Sequence, residues 1–276
     1  MSRRFSQIDV FGTALCSGNP VAVVIDAEGM GEEEMQQFAR WTNLAETTFV
    51  LPPTRPEADY RVRIFTPVLE LPFAGHPTLG SCHAWLEAGG EARDSGEIVQ
   101  ECDAGLVRIR REAGELAFAA PPLVRSGPAS EEDTARVAAA LGVDRGEMLA
   151  VEWVDNGPGW IAALFESAER VLELRPAALD FDLGAVGFHP PEAAAAIELR
   201  AWAPVNGLAA EDPVTGSLNA SVAQWLIGSG RLAAPYAATQ GNAIERAGRI
   251  EIVADADGTI WVGGQTETVI EGSVEI

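Results

Sequence analysis

The chain has 276 residues, 47% of them apolar, and a formal charge of −22; its 19 basic residues are all arginine. That length and apolar content suit two domains, each with a core of its own, and the acidic balance argues against nucleic acid and anionic membranes as partners. The missing lysine excludes a Schiff base to pyridoxal phosphate or a carbonyl substrate, and it excludes a P-loop.

Taken in chain order, Phe5–Val10 alternates like a strand, and Ile8–Val10 and Val21–Ile25 read as strands joined by a Gly/Ser/Asn loop from Gly12 to Pro20. Glu32-Glu33-Glu34 places three acids where a helix N-terminus favours them, and the helix runs on through Trp41. Thr47–Leu51 is β-branched and strand-like, and Tyr60–Phe65 alternates polar and apolar at period two. A helix is expected over about 76–88, then strands at Glu97–Cys102, Leu106–Arg111 and Glu115–Ala119. Pro121-Pro122 and the stretch 125–130 break the pattern and mark a domain boundary. Ser130 and Asp133 are spaced as a cap for a helix ending at Gly142.

Strands then fit Met148–Val154, Trp160–Phe165 and Ile197–Trp202, with a helix over Ala168–Leu174 and no clear period over 176–186. A second long helix fits about 217–227. The tail reads as strands at Arg249–Val253, Thr259–Val262 and Thr268–Ile276. The N-terminus carries no apolar signal-peptide core, and no apolar run approaches the roughly 20 residues of a membrane span. The three cysteines, Cys16, Cys82 and Cys102, form no Cys-x-x-Cys, so neither a disulfide framework nor a zinc cluster is implied. A cytoplasmic location is the expectation.

Two stretches echo each other. Glu70-Leu71-Pro72-Phe73-Ala74-Gly75-His76 and Glu211-Asp212-Pro213-Val214-Thr215-Gly216-Ser217 both read Glu-x-Pro-x-x-Gly followed by a polar side chain, and both run into a helix carrying Trp-Leu. Gly75 and Gly216 lie 141 positions apart, half the chain, as a duplicated unit requires. A smaller echo sets Gly18-Asn19-Pro20 against Asn156-Gly157-Pro158. Each half is strands plus one long helix, an α+β pattern repeated. A glycine at a helix start lets the unpaired first amides approach an anion. Two such ends facing across a cleft would grip a small carboxylic acid; as plain structural turns they would not.

Histidine is scarce. His76 sits beside Gly75, where an imidazole can pass protons near neutral pH, whereas His83 reads as packing and His189 as a loop residue. Asp212 precedes Gly216 on the turn feeding the second helix, and Ser217 offers a hydroxyl and an amide there; capping and turn formation are the plain alternatives. Glu46 is an acid among apolar and β-branched residues, and burial would suit its carboxyl to proton transfer. No Gly-x-Ser-x-Gly, His-Glu-x-x-His or Gly-x-Gly-x-x-Gly occurs, and the histidines show no metal-ligand spacing. Carboxylate and imidazole remain, which points to proton transfer without metal or cofactor.

The motifs Ser17-Gly18-Asn19-Pro20-Val21-Ala22-Val23, Ala45-Glu46-Thr47-Thr48-Phe49-Val50, Phe73-Ala74-Gly75-His76-Pro77-Thr78-Leu79-Gly80 and Glu211 to Ser217 occur in this order along nearly the whole chain. Together they resemble the PhzF family of phenazine-biosynthesis-like isomerases, which share the diaminopimelate epimerase-like fold. Gln240-Gly241 with Arg246-x-Gly248 is a weaker match. The resemblance implies two pseudo-symmetric domains, 1–120 and 121–265, each with strands wrapped around a central helix, the final strand (about 266–276) free to return to the first domain. It implies a homodimer, a small carboxylic-acid substrate, Glu46 as general acid/base with His76 and Asp212 as polar partners, and Asn19, Gly75, Gly216 and Ser217 as substrate-binding groups. Ala74 and Thr215 stand where epimerase relatives carry paired cysteines, which excludes two-thiol racemisation. Ala45 and Leu218-Asn219-Ala220 also depart from the phenazine-pathway pattern. The alternatives are a carboxylate-binding protein without turnover, or an epimerase-type activity on an amino acid.

Overall fold

The structure, a computed structural model, describes residues 1–94, 96–112 and 114–276. The elements run β1 (Ser2–Val10), β2 (Asn19–Val24), α1 (Glu32–Thr42), β3 (Glu46–Leu51), β4 (Tyr60–Phe65), β5 (Glu70–Leu71), α2 (Gly75–Glu87), β6 (Glu97–Cys102), β7 (Gly105–Glu112), β8 (Glu115–Ala119), β9 (Arg125–Pro128) and α3 (Glu131–Leu141). They continue with β10 (Ala150–Asp155), β11 (Ile161–Phe165), α4 (Ala168–Glu173), β12 (Leu183–Phe188), β13 (Ile197–Val205), β14 (Leu208–Asp212), α5 (Gly216–Gly228), β15 (Tyr236–Gln240), β16 (Gly248–Ala254), β17 (Ile260–Gly264) and β18 (Thr266–Glu275). The chain divides into two compact units. One holds residues Met1–Ala119 and Gly263–Ile276, the other Ala120–Val262.

The two units share one pairing pattern. In the first, β1–β2 is antiparallel, β2–β3 parallel, β3–β4 antiparallel, β4–β6 parallel and β6–β7 antiparallel. In the second, β10–β11, β11–β12, β12–β13, β13–β15 and β15–β16 repeat that series in the same order. Register repeats too. Val21 faces Glu46 across the first parallel pair and Ile161 faces Leu183 across its copy. Tyr60 faces Gln100, and Leu199 faces Gln240.

α2 and α5, each 13 residues, are the central helices. Both are buried along most of their length rather than on one stripe, as a helix enclosed by strands must be. α2 packs against β1, β2, β3, β8 and β18. α1 is instead a surface helix. Its opening acids include Glu34, whose carboxylate accepts from the Gly31 amide at 2.8 Å, and it stops at Asn43 in the left-handed region. It buries Met35, Phe38 and Ala39 against Phe49 and Phe65, each large side chain contributing roughly 1.5–3 kcal/mol.

Several elements differ from what the sequence pattern predicts. β1 begins at Ser2, three residues ahead of the alternating stretch that starts at Phe5, because β18 pairs with it along its full length. The stretch expected to be only a break contains β9, an edge strand beside β10, where a proline at the strand end is tolerated and the Arg125 guanidinium lies 3.4 Å over the Trp153 ring. The unassigned span 176–186 contains the start of β12, a central strand between β11 and β13.

Candidate functional site

The two motifs end in helix starts of the same unusual kind. α3 and α4 are capped by Ser130 and Ser167, whose hydroxyls accept from Asp133 and Arg170 amides. α2 and α5 have no side-chain cap: Ala74 and Thr215 precede them in extended conformation, with φ of −150° and −105°. The first amides of a helix have no acceptor within it. Here they are buried, and the helix dipole adds positive potential.

In the first unit the structure brings Asn19, Glu46, Gly75 and His76 together. β2 delivers Asn19 from the loop, and the amide nitrogen of its side chain lies 3.2 Å from His76 Nδ1. β3 begins at Glu46, whose Oε2 lies 3.2 Å from His76 Nε2, off the line of a hydrogen bond. The His76 side chain is 4% exposed and that of Glu46 15%. Burial pushes the imidazole down to about 3, so it is neutral near pH 7. With Asn19 donating to Nδ1, the ring proton resides on Nε2, the nitrogen nearest the glutamate. The Glu46 carboxyl and the His76 ring nitrogen therefore face each other at 3.2 Å with little access to water.

A residue absent from the sequence reading supports this loop. Asp9, buried in β1, accepts from the Gly18 amide at 2.9 Å and from the Ser17 amide at 3.1 Å, setting the path into Asn19. An aspartate nine residues from its partner amide carries no local signal of this role. His83, expected to be packing, lies between Thr266 and Thr268 of β18, at 2.9 and 3.0 Å, and so ties the last strand to α2. His189 lies just beyond β12, its Nε2 2.9 Å from Thr239 Oγ1.

In the second unit the structure brings together Asp212, Thr215, Gly216 and Ser217. Thr215 donates from its hydroxyl to Asp212 Oδ2 at 2.5 Å. Ser217 is held at both ends: Trp160 Nε1 donates to its hydroxyl at 3.1 Å, and Asn156 donates to its carbonyl at 2.8 Å. Asn19 and Asn156 therefore serve equivalent places, each holding the residue that follows the helix-start glycine. This explains the smaller sequence echo.

The motif glutamates have a different task from the acids near them. Glu70 accepts from Arg63 through both oxygens, at 2.7 and 2.6 Å, and Glu211 accepts from Arg200 in the same way, at 2.8 and 2.5 Å. They clamp the hairpin leading to each helix. Among the described residues no group of three or more His, Cys, Asp or Glu side chains gathers as a metal site would need, and no helix is long and apolar enough to cross a membrane.

A strand series duplicated around two buried, uncapped helices is the arrangement of the diaminopimelate epimerase-like fold, which solved structures of PhzF-family and epimerase proteins share with this chain. The family model described as phenazine biosynthesis-like protein matches residues 8–272. A Schizosaccharomyces pombe protein, antisense-enhancing sequence 1, is 36% identical and aligned over 97% of each chain. The trans-2,3-dihydro-3-hydroxyanthranilate isomerase of Pseudomonas aeruginosa is 38% identical over 63% of this chain and 61% of its own. The crystal structure of a PhzF-family protein from Bacillus anthracis superposes with a TM-score of 0.82 over 100% of both chains at 21% identity. The chain belongs to the phenazine biosynthesis-like, or PhzC/PhzF, family, and it is an isomerase of the PhzF type.

Proposed function

We propose that this isomerase works without a cofactor, moving a proton within a small carboxylic acid by carboxylate general acid/base catalysis. Glu46 takes a proton from substrate carbon and returns it to another carbon. His76 and Asp212 relay it or balance the developing charge. Asn19, the Gly75 and Gly216 amides and Ser217 hold the carboxylate and stabilise enolate-like charge as it forms, the larger electrostatic contribution.

One observation carries the assignment. Glu46 and Leu183 occupy the same register place in the two copies of the strand pattern. The fold is satisfied there by a buried leucine, yet the first copy carries a carboxylate, 3.2 Å from the imidazole of an uncapped helix start.

The relative's substrate, trans-2,3-dihydro-3-hydroxyanthranilate, is the first compound to test, followed by a panel of small carboxylic and amino acids. In deuterated buffer the wild type incorporates deuterium into its substrate, followed by NMR. Glu46→Gln keeps the fold and loses about 10²–10⁴ in rate. Exchange at the wild-type rate in that variant overturns the assignment.

A further inference from the structure

We propose that Gln240 and Thr215 form a directed hydrogen-bond chain that fixes the Asp212 carboxylate, which makes both of them positioning residues for the reaction. The proposal rests on Asp212 taking part as described above, and its test separates the two ideas.

The direction of the chain is forced by the backbone. Gln240, fully buried in β15, places Oε1 3.0 Å from the Thr215 amide, a group that only donates. Its Nε2 lies 3.1 Å from the Asp212 carbonyl, a group that only accepts. The side-chain amide therefore has one orientation. The same Nε2 donates to Thr215 Oγ1 at 2.9 Å, so the hydroxyl hydrogen is directed to Asp212 Oδ2, 2.5 Å away. Asn219, on the first turn of α5, steadies the arrangement by donating to Gln240 Oε1 at 2.9 Å and to the Thr215 carbonyl at 3.0 Å.

Two further observations show that the chain serves the acid rather than the helix. Threonine at the residue before a helix ordinarily accepts from a first-turn amide, yet Thr215 makes no such cap; its hydroxyl is turned to Asp212 instead. The first unit supplies the control. At the places matching Asp212 and Thr215, 141 positions earlier, stand Leu71 and Ala74, so the acid and its donor are lost together. The buried glutamine persists there as Gln100, but its Nε2 donates to Thr78 at 3.0 Å and its Oε1 accepts from Tyr60 at 2.9 Å. The glutamine is common framework; the hydroxyl link occurs in the copy with the acid.

The test uses Thr215→Val, which keeps the shape and removes the hydroxyl, beside Thr215→Ser, which keeps the hydroxyl, and Asp212→Asn. Turnover is read as deuterium uptake into trans-2,3-dihydro-3-hydroxyanthranilate, and the placement of Asp212 by crystal structures of the variants. Thr215→Val is expected to lose about 10–100-fold in kcat with KM within about twofold, as misorientation of a working group does, and to show the Asp212 carboxylate displaced or in several rotamers. Thr215→Ser is expected to recover most of the rate. If Thr215→Val does not fold, Thr215→Ala carries the same expectations. An impaired Asp212→Asn beside a Thr215→Val that turns over normally, or an Asp212 carboxylate unmoved in that variant, overturns the positioning role. A wild-type rate in Asp212→Asn overturns the reading of Asp212 itself.

Discussion

The duplicated arginine–glutamate clamp allows one substitution to be compared in two settings. Arg200 and Glu211 have side chains 3% and 10% exposed, whereas Arg63 and Glu70 are 18% and 29% exposed. Arg200 Nη1 also donates to the Leu174 and Val171 carbonyls, at 2.6 and 3.1 Å, and so closes the C-terminal end of α4. Arg200→Met leaves a buried carboxylate without its partner, which costs about 3–5 kcal/mol. Arg63→Met leaves Glu70 able to reach water, and the loss is about 1 kcal/mol or less. At about 2–4 °C per kcal/mol for a chain of this order of size, the melting temperature falls by roughly 6–20 °C for the first variant and by about 4 °C or less for the second. Urea unfolding and thermal melts measure both. Adding Glu211→Leu to Arg200→Met removes the stranded charge and recovers a large part of the loss. Equal destabilisation by the two single variants would refute the burial argument.

Close packing and acid titration give two more tests. A Cβ on Gly80 of α2 would lie 2.3 Å from Val21 Cγ1 and 3.3 Å from Val10 Cγ2. Gly80→Ala therefore costs about 1–3 kcal/mol by overpacking, and adding Val21→Ala restores part of it; no restoration in urea melts would show that another strain dominates. Burial, reinforced by Asp155, pushes the Asp182 carboxyl up to about 6 from an ordinary 3.8. The native state then binds more protons than the unfolded state between those values, so this group's contribution to stability declines as pH rises through the window. Asp182→Asn removes that decline, and its stability relative to wild type increases from pH 4 to pH 7. A difference that does not change with pH refutes the shift.

Much of the fold is legible where local rules act alone. Alternation marks β4, and the serine before α3 caps it as its spacing predicts. The elements that escape are those whose form is dictated by neighbours. β12 reads Leu-Gly-Ala-Val-Gly-Phe, without alternation, because it is covered on both faces. Its Gly184 is there because any side chain would strike the Leu218 methyls at 2.9 Å, so a glycine that resembles a loop signal is a packing demand. β15 is hidden for the same reason: it is short, central and rich in alanine. Among the candidate residues of the two units, Glu46, His76, Asp212 and the two helix-start glycines stand out as residue types in a pattern. Asp9 and Gln240 do not, since their partners lie far along the chain and only the register between strands and helices brings them near.

Internal comparison of the two units separates scaffold from chemistry. What both copies keep is the arginine–glutamate clamp, the loop asparagine behind the helix-start glycine, and the buried glutamine beside the fourth helical residue. Such pairs satisfy buried polar groups, and their recurrence in two places follows from one fold being built twice. Among the differences between the copies, four fall at the helix starts and the strand end beside them: Glu46 against Leu183, His76 against Ser217, Leu71 against Asp212, Ala74 against Thr215. A framework alone has no need of these differences, because each position is occupied in the other copy by a residue that folds equally well. Each change alters the titratable or hydrogen-bonding character of its position; three of the four lie within a few residues of an uncapped helix end, and Glu46 reaches His76 there from β3. Differences of this chemical kind beside the helix starts are what division of labour in acid/base catalysis would produce. It yields an ordered expectation for mutagenesis: substitutions in the shared pairs lower stability first, and substitutions at the four divergent positions lower turnover first.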